Sequence, residues 1–296
     1  NVSLRPLESF ILPGGGPAGQ NLGERRKQRL QFVVQGPGRV DRDQAAAAQA
    51  ARVIDRFREQ GDLVVHIRHE FKDDNGEPAG WSVDLTNALG KVMGLKVNFD
   101  IGTFDNILPA VKAGKDDVGV SSFTDTLERE QQVDFVNYYS AGIQWAAPKG
   151  KTVDPDNACG LKVAVQATTY QDTHEVPAKS KACTDAGKPA STIFKYDAQV
   201  QATIALVVGQ VDAMSADSPV TLYAISKTKD KLETAGDAFE VAPYGMPVAK
   251  GSEFTPVLQK ALQTLIDDGT YNKILSKWGV EAGGVKTADL NVAAKG

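Results

Sequence analysis

Arg129 is the one arginine among residues 72–296, a stretch that carries 21 lysines. A segment that uses lysine for every other cation and arginine once points to a need for the guanidinium itself. Its planar fork holds a carboxylate through two parallel hydrogen bonds, and an ammonium cannot. The surrounding run 121–130 reads SSFTDTLERE, so the hydroxyls of Ser121, Ser122 and Thr124 lie close to the fork in sequence. The plain alternative is a surface arginine left by chance.

Two cysteines, Cys159 and Cys183, are the other reactive pair. Neither lies in a CxxC pair, and His66, His69 and His174 give no zinc spacing, so no metal site and no cofactor is expected. The simplest reading is one disulfide, which implies an oxidising, extracytoplasmic compartment. Two buried free thiols are the alternative. The first thirty residues lack a basic start followed by an apolar core, so no secretory signal is read there. No apolar run reaches the length of a membrane helix.

The net charge of −4 conceals a division. Residues 1–71 hold ten arginines and one lysine against eight acids, whereas residues 72–296 hold 22 basic and 29 acidic residues. The arginine-to-lysine preference inverts between them, which suggests segments of different origin or surroundings. The basic part is too mildly charged to argue for nucleic acid and carries no motif for it.

Positioning such residues requires a scaffold, and the pattern of the chain supplies one. Residues 1–40 read as irregular, with PGGG and GPG breaks. Residues 41–60 read as a helix that Asp41 could cap, and 63–67 as a short strand. Helices at 81–94 and 104–113 then alternate with strands at 96–101 and 118–121. The alternation repeats with strands at 161–166 and 211–216 around a helix at 199–208, and two helices fill 255–278. Such alternation means open α/β sheets, whose ligands bind at the carboxyl ends of strands. The hydroxyl-rich loop before Arg129, the polar loop 167–171 and Asp217 all fall at such ends.

Four motifs make a resemblance specific: SSFTDTLERE, VDLTNALG at 83–90, TFDNILPAVKAGKDD at 103–117 and VDAMSADSPV at 211–220. With the closing DDGTYNKILSKWG at 267–279, residues from about 70 onward resemble the amino-acid-binding solute receptors of ABC importers, the cluster of glutamine-, glutamate- and lysine/arginine/ornithine-binding proteins. The resemblance implies a two-lobed type II periplasmic binding protein with two crossing strands, plus an atypical N-terminal extension at 1–61. Lobe 1 would be 62–145 with 244–296, lobe 2 would be 146–243, and the crossings would lie near 143–148 and 243–248. It implies a non-enzymatic monomer, extracytoplasmic and lipid-anchored before processing in some members, that hands one small amino acid to the permease subunits.

Carried over residue by residue, Arg129 would grip the ligand α-carboxylate, with Ser121, Ser122 and Thr124 around it. Phe104 would be an aromatic wall, Thr169 would reach the carboxylate from lobe 2, and Asp217 would take the α-ammonium. Phe104 could instead be core, and Asp217 before Ser218–Pro219 could be a helix cap. Gln166, Ala167 and Ala216 would bear on side-chain selectivity, leaning towards a polar or acidic ligand. Tyr170 stands where the family commonly has glycine. The loop after the first strand is about five residues short of the family's and lacks its second aromatic. Residues 53–71 resemble a segment of isochorismatase-like hydrolases, and 7–18 faintly resemble cobalamin adenosyltransferases, without a catalytic set. A chimeric or impaired receptor, or an enzyme on the same fold, are therefore the competing readings.

Overall fold

In the computed structural model, which describes residues 40–60, 63–67 and 78–293, the apolar run LVVHI becomes β1 (Leu63–Ile67). It is paired in parallel on both sides, by β2 (Val97–Ile101) and β3 (Val118–Gly119). A strand enclosed in this way has little room for polar side chains, and Leu63 and Val65 are buried. α1 (Val40–Gln60) precedes it, and α2 (Trp81–Met93) and α3 (Phe104–Lys112) supply the crossovers. α2 stops where Gly94 takes φ 66° and returns its N–H to the carbonyls of Gly90 and Lys91, a left-handed cap that glycine adopts without a Cβ clash. α1 begins at Val40, so Asp41 lies inside the helix rather than at its cap.

The second half repeats the pattern. β6 (Lys162–Gln166) is flanked in parallel by β7 (Thr192–Tyr196) and β8 (Ala213–Asp217). A one-turn π-helix at Gln171–Glu175 runs into α5 (Val176–Asp185), and α6 (Gln199–Val207) and α7 (Ser218–Lys227) follow β7 and β8. α8 (Thr255–Asp267) and α9 (Thr270–Trp278) return to the first half.

Two long antiparallel strands join the halves: β5 (Val133–Pro148) and β9 (Leu232–Ala249). Hydrogen bonding therefore runs β2-β1-β3-β9-β5-β8-β6-β7. At one end the β5–β9 ribbon packs Val136, Tyr138, Tyr139, Tyr244 and Met246 into a core with α2, α8 and α9. At the other it packs Ile143, Trp145 and Ala235 into a core with β6 and α5. The change of core falls between Ala141 and Ile143 on β5 and between Phe239 and Tyr244 on β9, a few residues ahead of the expected crossings. Register shifts at Asn137/Tyr139, Ala141/Ile143 and Ile143/Trp145 mark the same place. Bulges raise local twist, which lets one ribbon carry the strands of both halves in a single sheet.

The chain divides into compact units Asn1–Gln44 and Ala45–Gly296. Most of α1 thus goes with the larger unit. Val53 is buried in its core, Phe57 meets Phe254 at a ring-centroid distance of 4.6 Å, and Arg56 pairs with Glu253 at 3.1 Å. Of the irregular stretch expected at 1–40, residues 1–39 lie outside the described residues, as do the short loop after β1 and the junction at Glu70–Phe71.

β3 is shorter than the expected strand at 118–121. The chain leaves the sheet, turns at Ser122 with φ 54°, and re-enters as β4 (Phe123–Thr124) against Gly245 and Tyr244 of β9.

Cys159 and Cys183 form a disulfide that ties the approach to β6 to α5. Its loop of about 25 residues restricts the unfolded chain by about 3.5 kcal/mol in the chain-entropy account. The double variant Cys159→Ser, Cys183→Ser is expected to lose stability of that order, measured as a lower urea midpoint with an unchanged far-ultraviolet spectrum.

Candidate functional site

The turn at Ser122 and the β4 pairing project the loop that leads into α4 (Leu127–Glu130) from the carboxyl end of β3. The loop is fastened at several points. The Ser122 N–H donates to Tyr138 Oη at 3.2 Å, and Thr126 Oγ1 caps α4 by accepting the Arg129 N–H at 3.3 Å. Buried Asp125 accepts from Asn137 Nδ2 and from the Val292 N–H, both at 2.9 Å.

Arg129 leaves this loop over the ring of Phe123, 5.5 Å from its centroid. Phe123 in turn stacks on Phe104 at 4.2 Å. Phe104 is 7% exposed and belongs to a core cluster with Ile107 and Phe135, so it backs the guanidinium's platform more than it walls an open cleft. One Arg129 terminal nitrogen donates to the Thr124 carbonyl at 2.8 Å and the other to the Thr168 carbonyl at 3.1 Å. The second bond crosses from the first half of the molecule to the second. Glu128 makes another crossing contact, 3.9 Å from His174 Nε2. These two contacts bring the halves together at this edge. A guanidinium carries five N–H donors, so both carbonyls leave donors for a third acceptor.

Asp217 ends β8 and stands at the N-cap position of α7, but its side chain makes no capping bond. It accepts instead from Gln171 Nε2 at 2.6 Å. Removal from bulk water pushes its carboxyl above the usual range, opposed by Tyr244, Gln171 and the Arg129 charge. Burial likewise lowers Arg129, opposed first by Asp217. The two charges thus feel one another while making no direct ion pair.

Thr169 is placed differently from expectation. Its hydroxyl donates to the Gln166 carbonyl at 2.7 Å and accepts the Asp172 N–H at 3.3 Å, which commits it to its own turn. The neighbouring Thr168, at φ 64°, supplies the carbonyl that meets Arg129. Tyr170 stacks on His174 at 4.9 Å. Ser121 and Ser122 are half-buried beside the Arg129 loop, and Gln166 is buried with its Nε2 lacking a protein partner. Gln171 and Tyr244 were not singled out from the sequence. Gln171 ended a polar loop, and nothing in the apolar pattern of β9 marks Tyr244 as facing an acid.

Among the described residues, no group of three or more His, Cys, Asp or Glu is placed to hold a metal. Likewise, no helix among them is long and apolar enough to cross a membrane.

Two α/β lobes on a shared ribbon, with a fixed cation and a fixed anion facing across them, define a solute receptor of the type II periplasmic binding fold. The chain belongs to the bacterial extracellular solute-binding proteins, family 3, whose pattern matches residues 66–281. It is 41% identical over 224 residues to the arginine-binding protein ArgT of Corynebacterium glutamicum, covering 75% of this chain and 74% of that protein. It superposes on an ancestral arginine-binding protein bound to arginine with a TM-score of 0.68 at 35% identity, over 74% of this chain and 98% of the other. An ancestral amino acid-binding protein that is a precursor of cyclohexadienyl dehydratase gives a TM-score of 0.63 at 30% identity, over 76% of this chain and 98% of the other.

One buried acid has a marked shift. Glu175 is pushed from 4.5 to about 7 by burial, against hydrogen bonds from Ser215 and Trp145. Between those values the folded protein holds a proton that the unfolded chain has released. Its contribution to stability is therefore fully present below about pH 4.5 and is lost as pH rises through about 7. Glu175→Gln is expected to remove roughly 3 kcal/mol of pH-dependent stability. The check is urea denaturation of parent and variant at pH 5 and pH 8. The variant should gain on its parent between the two.

Proposed function

We propose that the cleft between the lobes captures a single amino acid, with Arg129 on its α-carboxylate and Asp217 on its α-ammonium, and that the closed form delivers it to an ABC importer. The observation that carries this reading is the facing pair itself. Two partly desolvated opposite charges sit on different lobes, close enough to perturb each other but not joined, and a zwitterion is the ligand that pairs with both. Because each lobe holds one charge, a bound zwitterion has its full set of partners only when the lobes are together, so it favours closure by differential affinity.

Ser121, Ser122 and Thr124 surround the carboxylate end in this reading, with the turn formed by Thr168 and Thr169 across the cleft, and Phe104 supporting the platform beneath. Residues 62–145 with 244–296 serve as lobe 1 and 146–243 as lobe 2. Arginine is the first ligand to test, since two of the relatives named above are arginine-binding proteins. The protein acts as a receptor rather than an enzyme. Glu175, an acid with a raised pKa, is buried with both oxygens engaged by Trp145 and Ser215, out of reach of a ligand. Action as a monomer beside the permease subunits, and a lipid anchor before processing, rest on family resemblance alone.

Calorimetry against the twenty amino acids tests the proposal. Micromolar binding of one polar amino acid is expected, abolished in Arg129→Ala and weakened at least tenfold in Asp217→Asn, a change of about 1.4 kcal/mol or more. A folded parent that binds none of the twenty would overturn it and favour the impaired receptor or the enzyme.

A further inference from the structure

Glu175 has no part in the cleft, yet it is among the most enclosed acids in the described chain, 3% exposed. Each of its oxygens accepts from a different strand. Trp145 Nε1–H, on β5 at the crossing, donates to one at 3.0 Å, and Ser215 Oγ–H, on β8, donates to the other at 2.9 Å. Ser215 stands two residues before Asp217 on the same strand.

Glu175 is also the last residue of the π turn. The first residue of that turn, Gln171, donates to Asp217 at 2.6 Å. The second, Asp172, accepts the Thr168 N–H at 2.9 Å and meets Lys195 at 2.8 Å, and the Thr168 carbonyl receives Arg129. One short turn therefore has its far end bolted to two strands, while its near end touches Asp217 directly and Arg129 through Thr168. π turns inside helices are rare and concentrate at functional sites.

We propose that Glu175 is a positioning residue for the ligand site: as a carboxylate it holds the π turn against β5 and β8 in the place where Gln171 meets Asp217 and Thr168 meets Arg129. This rests on the receptor reading for its functional meaning. The chemistry of the bracket explains why the charge matters. An indole N–H only donates, whereas a serine hydroxyl can donate or accept. When the carboxyl takes a proton, the Trp145 bond survives on one oxygen, but the other must donate to Ser215. The Ser215 hydroxyl then loses its acceptor within a buried strand, next to Asp217.

The charges that face Glu175 come from several elements. Lys179, one turn further along α5, favours the carboxylate and is itself paired with Asp156 at 3.2 Å. Glu240 on β9 opposes it. The phenol of Tyr170, at the start of the turn, feels both acids, and His174 is the adjacent residue. Burial dominates these influences and brings the changeover to about pH 7.

The test follows side-chain NMR signals of the Trp145 indole and the Gln171 amide between pH 5.5 and 8.5, in the parent and in Glu175→Gln. L-Arginine affinity is measured by calorimetry over the same range. The amide variant is isosteric, can accept from Trp145 and donate to Ser215, and so mimics the protonated state. In the parent, both signals should move together with a midpoint near 7, and arginine affinity should fall several-fold from pH 8 to pH 6. In Glu175→Gln both signals should stay fixed, and the affinity at pH 8 should match the parent's weaker value. An indole that titrates beside an unmoved Gln171 amide would overturn the proposal, as would a variant that binds arginine like its parent at both pH values. A parent that binds no amino acid would defeat the receptor reading alone, and the Gln171 signal would still decide whether Glu175 sets the turn.

Discussion

The organising constraint in this molecule is a pair of opposite charges, Arg129 and Asp217, held partly out of water on different lobes without being allowed to meet. Left free, a guanidinium and a carboxylate would collapse into an ion pair, and the site would be filled by its own side chains. Each is instead restrained by neighbours. Carbonyl oxygens from Thr124 and Thr168 take part of the guanidinium's donor set, and the Gln171 amide holds the carboxylate. Desolvation without direct pairing is costly, and the hydrogen bonds from these neighbours offset part of that cost.

The rest of the fold can be understood as the means of enforcing this separation. The Arg129 loop is tied down by Asn137 of β5 and by the backbone of Val292, 167 residues further along the chain. The Asp217 side is set by β8, whose pairing with Ile143 and its neighbours on β5 places it beside the crossing. The same ribbon therefore registers both charges, one through β4 on β9 and the other through β8 on β5. Tyr244 occupies the ribbon between them, against Asp217 on one side and the lobe 1 core on the other.

Much of this was legible in the sequence because it is carried by local chemistry. The lone arginine after a hydroxyl-rich strand end, the alternation of strands and helices, and the pairing of Cys159 with Cys183 all follow from residue types and spacing. What was not legible depends on long-range register. Whether Phe104 faces a cleft or a core is decided by Phe123, which reaches it only once β4 has paired with β9. The Thr169 hydroxyl looked free for a ligand, but a turn closed by Asp172 consumes it. Gln171 read as the end of a polar loop and Glu175 drew no reading, since nothing local reveals that the turn is widened to a π geometry or that Trp145 bonds to it. The arginine-rich N-terminal part was read as foreign to the rest, yet Arg56 and Arg58 fasten α1 to Glu253 and to the carbonyls of Met93 and Gly94.

The continuous β5–β9 ribbon has a bearing on how the chain could be cut and rejoined. The chain enters lobe 2 along one strand and leaves along its hydrogen-bonded neighbour, so the two ends of that lobe are already adjacent, as Ala146 opposite Thr234 shows. Such a segment is topologically an insertion: it can be removed or replaced while leaving a hairpin-like stump that its host could close with a short turn. Joining ends that are already neighbours carries little loop-closure entropy. In connectivity, the segment that carries Asp217 is therefore a self-contained unit set into the part that carries Arg129.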